Sequence, residues 1–175
     1  MLFLLIISVV IMQRLVEIFI ARNNEKRMRS QGAYEVGASH YPYMIAMHSS
    51  FFLILILEVS INKMELSQLF LVLLLLFAFV QALRIWCLSS LGRFWNTKII
   101  ILPNAKVVKK GPYTIMRHPN YTIVSLEIIL LPVMFQAYFT AIIFTLLNIA
   151  MLSVRIPIEE RALREATNYN SVFDK

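Results

Sequence analysis

Residues 121–154 read YTIVSLEIILLPVMFQAYFTAIIFTLLNIAMLSV. The run is apolar almost throughout, yet it is too long for one ordinary bilayer span of about 20 residues. Pro132 interrupts it, and Gln136 lies just beyond. A proline inside a helix removes a backbone hydrogen bond, and its ring clashes with the preceding turn. The tract therefore predicts two helices, roughly 121–134 and 137–154, folded back as a hairpin. The first has only about 14 residues, or about 21 Å at 1.5 Å per residue. It crosses a membrane fully only if its polar start lies within protein.

Three more apolar tracts precede this one: Leu2 to Ile20, Pro42 to Ile61 and Ser67 to Leu88. The expected fold is an all-α polytopic membrane helix bundle of about five transmembrane helices, closed by the C-terminal hairpin. The chain is 59% hydrophobic and 15% charged, more apolar surface than a soluble domain of this size can hide. The first tract lacks a basic leader and a small-residue cleavage site, so it reads as a retained span.

The net charge of +7 raises the question of nucleic acid, but the charges stand in blocks between apolar runs. That is a membrane pattern, and no nucleic-acid partner is expected. Four basic residues lie in Arg22 to Arg29 and six in Ser89 to Asn120, and more follow Val154, including Lys175. The connection after Ile61 has only Lys63, balanced by Glu65. The positive-inside rule then places the N-terminus outside and the C-terminus in the cytoplasm. Five spans satisfy that parity. The single cysteine, Cys87, excludes an internal disulfide. His40, His48 and His118 do not have metal-ligand spacing, so no metal is expected.

Ionisable groups within spans are costly and draw attention. Arg14 and Glu17 have the i, i+3 spacing of a local ion pair. Glu58 ends the second tract and reads as interfacial. Arg84 with Trp86 reads as an interface anchor. Glu127 lies two turns into a short helix, so it must be protonated or face polar groups. Residues 111–121 read GPYTIMRHPNY. Gly111-Pro112 signals a turn, and Pro119 suits a first helical turn. The start of that helix offers unpaired N–H groups to an anion. The last tract continues as RIPIEERAL, residues 155–163. Asn148, Arg155 and Glu159 share one helical stripe facing the bundle. Arg161 and Arg164 read as a solvated face.

The GPY and RHPNY runs, with an arginine four residues before a glutamate pair, resemble the isoprenylcysteine carboxyl methyltransferase family. The resemblance covers about residues 90–175. It implies S-adenosylmethionine as cofactor, S-adenosylhomocysteine as product, and a cytoplasm-facing pocket made by the last two membrane helices. By position it implies cofactor contacts at Tyr113, His118, Pro119, Asn120, Tyr121 and Glu159, and along Ala105, Lys106, Val107 and Val108, with Lys98 a further candidate. Ala105 stands where some members have a histidine. Arg155 is implied as the residue facing the substrate, with Glu127, His40 and His48 as further substrate-side candidates. The whole chain, 1–175, is then one membrane domain, with membrane helices over 1–88 and the catalytic region over 89–175.

The N-terminal half (GAYEVGASHYP, then His48) and LGRFWNTKIIILP at 91–103 are similar to a bacterial branch of the family. Some members of that branch sit beside type III polyketide synthases and O-methylate alkylpyrones. The implied partners are a lipophilic small molecule entering from the bilayer, and the membrane lipids themselves. Two other classes compete: a small transporter with Arg14 and Glu127 along its path, and a sterol-type reductase using a nicotinamide cofactor.

Overall fold

The computed structural model describes residues 1–62 and 66–173. Lys63, Glu65 and Lys175, used above in counting charge, lie outside the described residues. Among the described residues there are six α-helices, two short 3-10 turns (Gly92–Phe94 and Gly111–Thr114) and two short strands. The helices are α1 (Leu2–Arg29), α2 (Tyr41–Ile61), α3 (Phe70–Leu91), α4 (Pro119–Met134), α5 (Tyr138–Ala166) and a short α6 (Tyr169–Phe173). Strands β1 (Tyr34–Val36) and β2 (Ile99–Ile101) pair antiparallel, with Glu35 opposite Ile100.

Helices α1, α2, α3 and α5 are long and apolar enough to cross a membrane, and α4 is a shorter apolar helix beside them. Large apolar side chains such as Leu5, Phe19, Leu71, Phe79 and Ile142 point outward, where lipid rather than water suits them. The chain is an integral membrane protein of the expected all-helical class. The core between the helices is built by Phe51, Leu55, Phe77, Leu131, Met134 and Phe144.

The expected hairpin is present. Helix α4 ends at Met134, with Pro132 in its last turn, and α5 starts at Tyr138. Gln136 reverses the chain in the left-handed region, at φ 56°. Its side-chain amide donates to the Leu66 carbonyl, and the Ser67 N–H donates to the Met134 carbonyl. The tight turn is thereby tied to the start of α3.

Several expectations need correction. Glu58 is not merely interfacial. Its carboxylate accepts the backbone N–H groups of Phe139 (3.2 Å) and Thr140 (2.8 Å). Those are orphan donors in the first turn of α5, and a negative charge belongs there. Helix α1 also runs nine residues past the expected end at Ile20, so the basic run 22–29 lies on its last turns. The strand pair was not foreseen. In β2, Ile99 and Ile101 pack on Ala162 of α5, while Ile100 packs on Met28 and Ala33. This clip fastens the connection after α1 to the one before α4.

Arg84 is the largest departure. It is no interface anchor: it is 5% exposed and reaches across the bundle. Its guanidinium binds both oxygens of Glu17 (2.6 and 2.5 Å) and one of Glu127 (3.0 Å). Arg14 binds the same two carboxylates, at 2.7 and 2.8 Å, and Gln81 donates to Glu127 at 2.7 Å. Two guanidiniums and two carboxylates thus close a neutral knot among α1, α3 and α4. Inside a membrane such charges persist only as a matched set. Trp86, in contrast, is exposed as an anchor should be.

Candidate functional site

A cavity of about 480 Å³ runs from the polar end of the bundle into its apolar interior. Sites for small molecules commonly fall in the range of roughly 300–1,000 Å³. Its polar end is lined by the 105–108 segment, Tyr113, His118, Asn120, Tyr121, Arg155, Glu159 and Tyr169. Deeper walls come from Met44 and His48 of α2, Val124 and Ile128 of α4, and Met151 and Leu152 of α5.

Three pieces of local structure place these groups. The first is the GPY turn. Gly111 sits at φ 58°, and a Cβ there would lie 2.3 Å from Ser90 Oγ and 2.9 Å from Trp86 Nε1. Only glycine lets the turn close against α3, and the closure buries Tyr113 beside Cys87 and Ile123. Burial, reinforced by nearby Cys87 and Glu159, pushes the Tyr113 hydroxyl well above its ordinary value, so it stays a donor. The second is the start of α4 at Pro119, which aims His118 and Tyr121 toward α5 as a stacked pair 5.4 Å apart. The third is the 102–108 segment. It lies along the end of α5 through Asn104 N–H to the Ala166 carbonyl and Val107 N–H to Asn168 Oδ1, both 2.8 Å.

The polar groups form two hydrogen-bonded sets, with His118 Nδ1 3.9 Å from Glu159 between them. The Tyr121 hydroxyl donates to Glu159 and accepts from Arg155 Nε at 2.8 Å. His118 Nε2 lies 3.0 Å from Glu160, which also accepts from the Tyr169 hydroxyl at 3.2 Å. Burial and the nearby Glu160 carboxylate push the Tyr169 hydroxyl up to about 12. Arg155 is buried and also donates to the Thr97 carbonyl (2.6 Å) and Met44 Sδ (3.2 Å). These contacts engage three of the five N–H donors a guanidinium carries, leaving others for a ligand. Below it, Asn148 donates to Ser125 Oγ (2.9 Å), which in turn donates to the Tyr121 carbonyl. The stripe of Asn148, Arg155 and Glu159 does face the bundle.

Of the singled-out positions, Ala105, Lys106, Val107, Val108, Tyr113, His118, Asn120, Tyr121, Glu159, Arg155 and His48 all line the cavity. Lys98 lines it too, but its ammonium is held by Glu25 (3.1 Å) and Glu35 (3.2 Å). Partial burial disfavours that charge, and the two carboxylates more than offset this, so the lysine is held above its ordinary value. Glu127 touches the cavity with a carboxylate already saturated by Arg14, Arg84 and Gln81. Pro119 is buried in the helix start and serves its geometry. His40 is buried at the N-terminus of α2, under Gly37, away from the cavity lining. Burial, then the Arg155 charge, lowers its basicity. Tyr43 points outward and is 70% exposed.

Sequence reasoning missed Trp95, Thr97, Met44 and Tyr169, all of which line the cavity. Thr97 contributes a backbone carbonyl and Met44 a sulfur, which no residue-type signal marks, and no local spacing ties the Trp95 indole N–H or the Tyr169 hydroxyl to the motif. Among the described residues no cluster suits a metal ion.

A helical membrane protein with a part-polar, part-apolar cavity at one end of its bundle is suited to joining a polar and a greasy reactant. The chain belongs to the isoprenylcysteine carboxyl methyltransferase (ICMT) family, whose model matches residues 70–165. It is therefore a membrane methyltransferase. Uncharacterized protein YpbQ of Bacillus subtilis (strain 168) is 48% identical over 163 residues, 93% of this chain and 97% of that protein. An uncharacterized protein of Haemophilus influenzae is 27% identical over 151 residues, 86% of this chain and 88% of that protein. No solved structure matches the chain.

Proposed function

We propose that the protein is an S-adenosylmethionine-dependent O-methyltransferase acting on a lipophilic anionic acceptor. One observation carries the cofactor reading. Three polar atoms are buried on cavity-lining residues without a hydrogen-bond partner: Trp95 Nε1, the Tyr113 hydroxyl and Asn120 Oδ1. Buried polar groups are normally satisfied, and a nucleoside-bearing amino acid supplies donors and acceptors for all three. Glu159 on the cavity wall provides negative charge for its positive groups, and the start of α4 suits its carboxylate.

When bound, the cofactor supplies a methyl group on a positive sulfur that leaves as a neutral thioether. The chain's residues do the rest. Arg155 holds the acceptor's oxyanion by a charge-assisted bond. Tyr121 and Thr97 fix the guanidinium, so the oxygen is presented in one direction. The apolar walls of α2, α4 and α5 take the hydrocarbon tail and exclude water. For the acceptor, we place a long-chain alkylpyrone ahead of an isoprenylcysteine. Tyr41 and His48 on the cavity wall support a flat ring head.

Purified enzyme with S-adenosylmethionine should methylate a long-chain alkylpyrone. Transfer to farnesylcysteine alone would overturn the acceptor, and failure to bind S-adenosylhomocysteine would overturn the cofactor. The proposed orientation puts the cavity's polar end in the cytoplasm. A cysteine at Gln136 should then react with an impermeant thiol reagent from outside, and one at Lys109 should not.

A further inference from the structure

His48 has one hydrogen bond in the structure, from Nδ1 to the Met44 carbonyl at 2.8 Å. A carbonyl only accepts, so Nδ1 carries the proton and the neutral ring presents a lone pair at Nε2. The ring lines the cavity, and Nε2 has no partner among the described residues. The guanidiniums of Arg14 and Arg84, which also line the cavity, bind Glu17 and Glu127 instead. His48 lies one helical turn, about 6 Å, deeper along α2 than Met44, and the Met44 sulfur touches Arg155. The cavity wall therefore offers a cationic donor at Arg155 and, one turn further in, a lone-pair acceptor at His48.

We infer that His48 is a specificity-determining residue, whose Nε2 accepts a hydrogen bond from a hydroxyl on the acceptor's head. A ring head with an ionised oxygen and a separate, protonated hydroxyl can give that bond from the hydroxyl while its oxyanion meets Arg155. A carboxylate head has no hydrogen to give and meets Nε2 lone pair against lone pair. The site thus selects hydroxylated ring lipids over carboxylated ones. This rests on the reading of the cavity as the acceptor's site, and narrows the acceptor class within it.

The test uses the full chain in detergent and two probes: 4-decylphenol, which has the hydroxyl, and 4-decylanisole, its methyl ether. Calorimetric titration of the wild type should show the phenol binding about three- to tenfold more tightly, the range of one net hydrogen bond. His48→Phe keeps the ring and removes the lone pair, so the preference should vanish through loss of phenol affinity alone. His48→Gln returns an acceptor oxygen and should restore part of it. No preference in the wild type, or an undiminished one in His48→Phe, overturns the inference. S-adenosylhomocysteine titrated into the same samples reports the cofactor reading separately: its loss in the wild type would sink that reading and leave the phenol comparison standing.

Discussion

Two polar clusters lie in this bundle, and they differ in how their charges are spent. In the knot of Arg14, Glu17, Arg84 and Glu127, every carboxylate is bound by two guanidiniums. At the boundary, around Arg155, Tyr121, Glu159 and His118, the charges are linked through a phenol and a ring. Unsatisfied buried atoms stand beside them at Tyr113 and Asn120. The knot's four charges are fully paired, with only the Gln81 Oε1 beside them lacking a partner among the described residues, whereas the boundary cluster leaves open atoms that face the cavity. A charge buried in a membrane protein is therefore read by its partners. A saturated set fastens helices, and an unsaturated one awaits a molecule.

The strongest way to break that contrast is Arg84→Leu. Removing one member of a buried pair leaves a carboxylate uncompensated, at a cost of about 3–5 kcal/mol. We expect little folded protein, measured as monodisperse yield and thermal unfolding in detergent. Normal stability would make the knot dispensable. Next in size come Glu159→Ala and His118→Ala. These should leave unfolding nearly unchanged and weaken S-adenosylhomocysteine by about ten- to a hundredfold, the scale of a lost charged hydrogen bond. Wild-type affinity by calorimetry in both variants would remove them from the site.

Arg155→Lys should bind S-adenosylhomocysteine normally but lose about tenfold in methyl-transfer rate, because an ammonium lacks the planar fork. The smallest effect belongs to His40. Its folded pKa lies below its unfolded one, so its contribution is present above about pH 6.5 and is lost as pH falls through the folded value. The Tm should drop modestly between about pH 7 and pH 5, and drop less in His40→Phe.

What the sequence made legible was local. Pro132 and Gln136 announced the hairpin, and the stripe of Asn148, Arg155 and Glu159 pointed inward as helical spacing demands. The motif at 111–121 led to Tyr113, His118, Asn120 and Tyr121 at the cavity's polar end. Arg84 was misread because its partners are 67 and 43 residues away, and no spacing rule reaches them. Glu58 was misread for the same reason, since the helix it caps begins about eighty residues later. The strands were hidden by length. Three isoleucines in a row look like any apolar patch until β1 supplies the opposite edge.

The doubled partnership of Glu17 also has a consequence for how the chain is made. Synthesis delivers α1 first, and Arg84 emerges 67 residues behind Glu17. Through that interval the only guanidinium of the knot that has left the ribosome is Arg14, one turn away on the same helix. The first helix thus enters the bilayer with its own counter-ion. When α3 arrives, Arg84 joins Arg14 on Glu17, and both arginines meet Glu127 when α4 follows, 43 residues after Arg84. The order of translation and the order of the ion pairs coincide, and Glu17 has a partner at each stage.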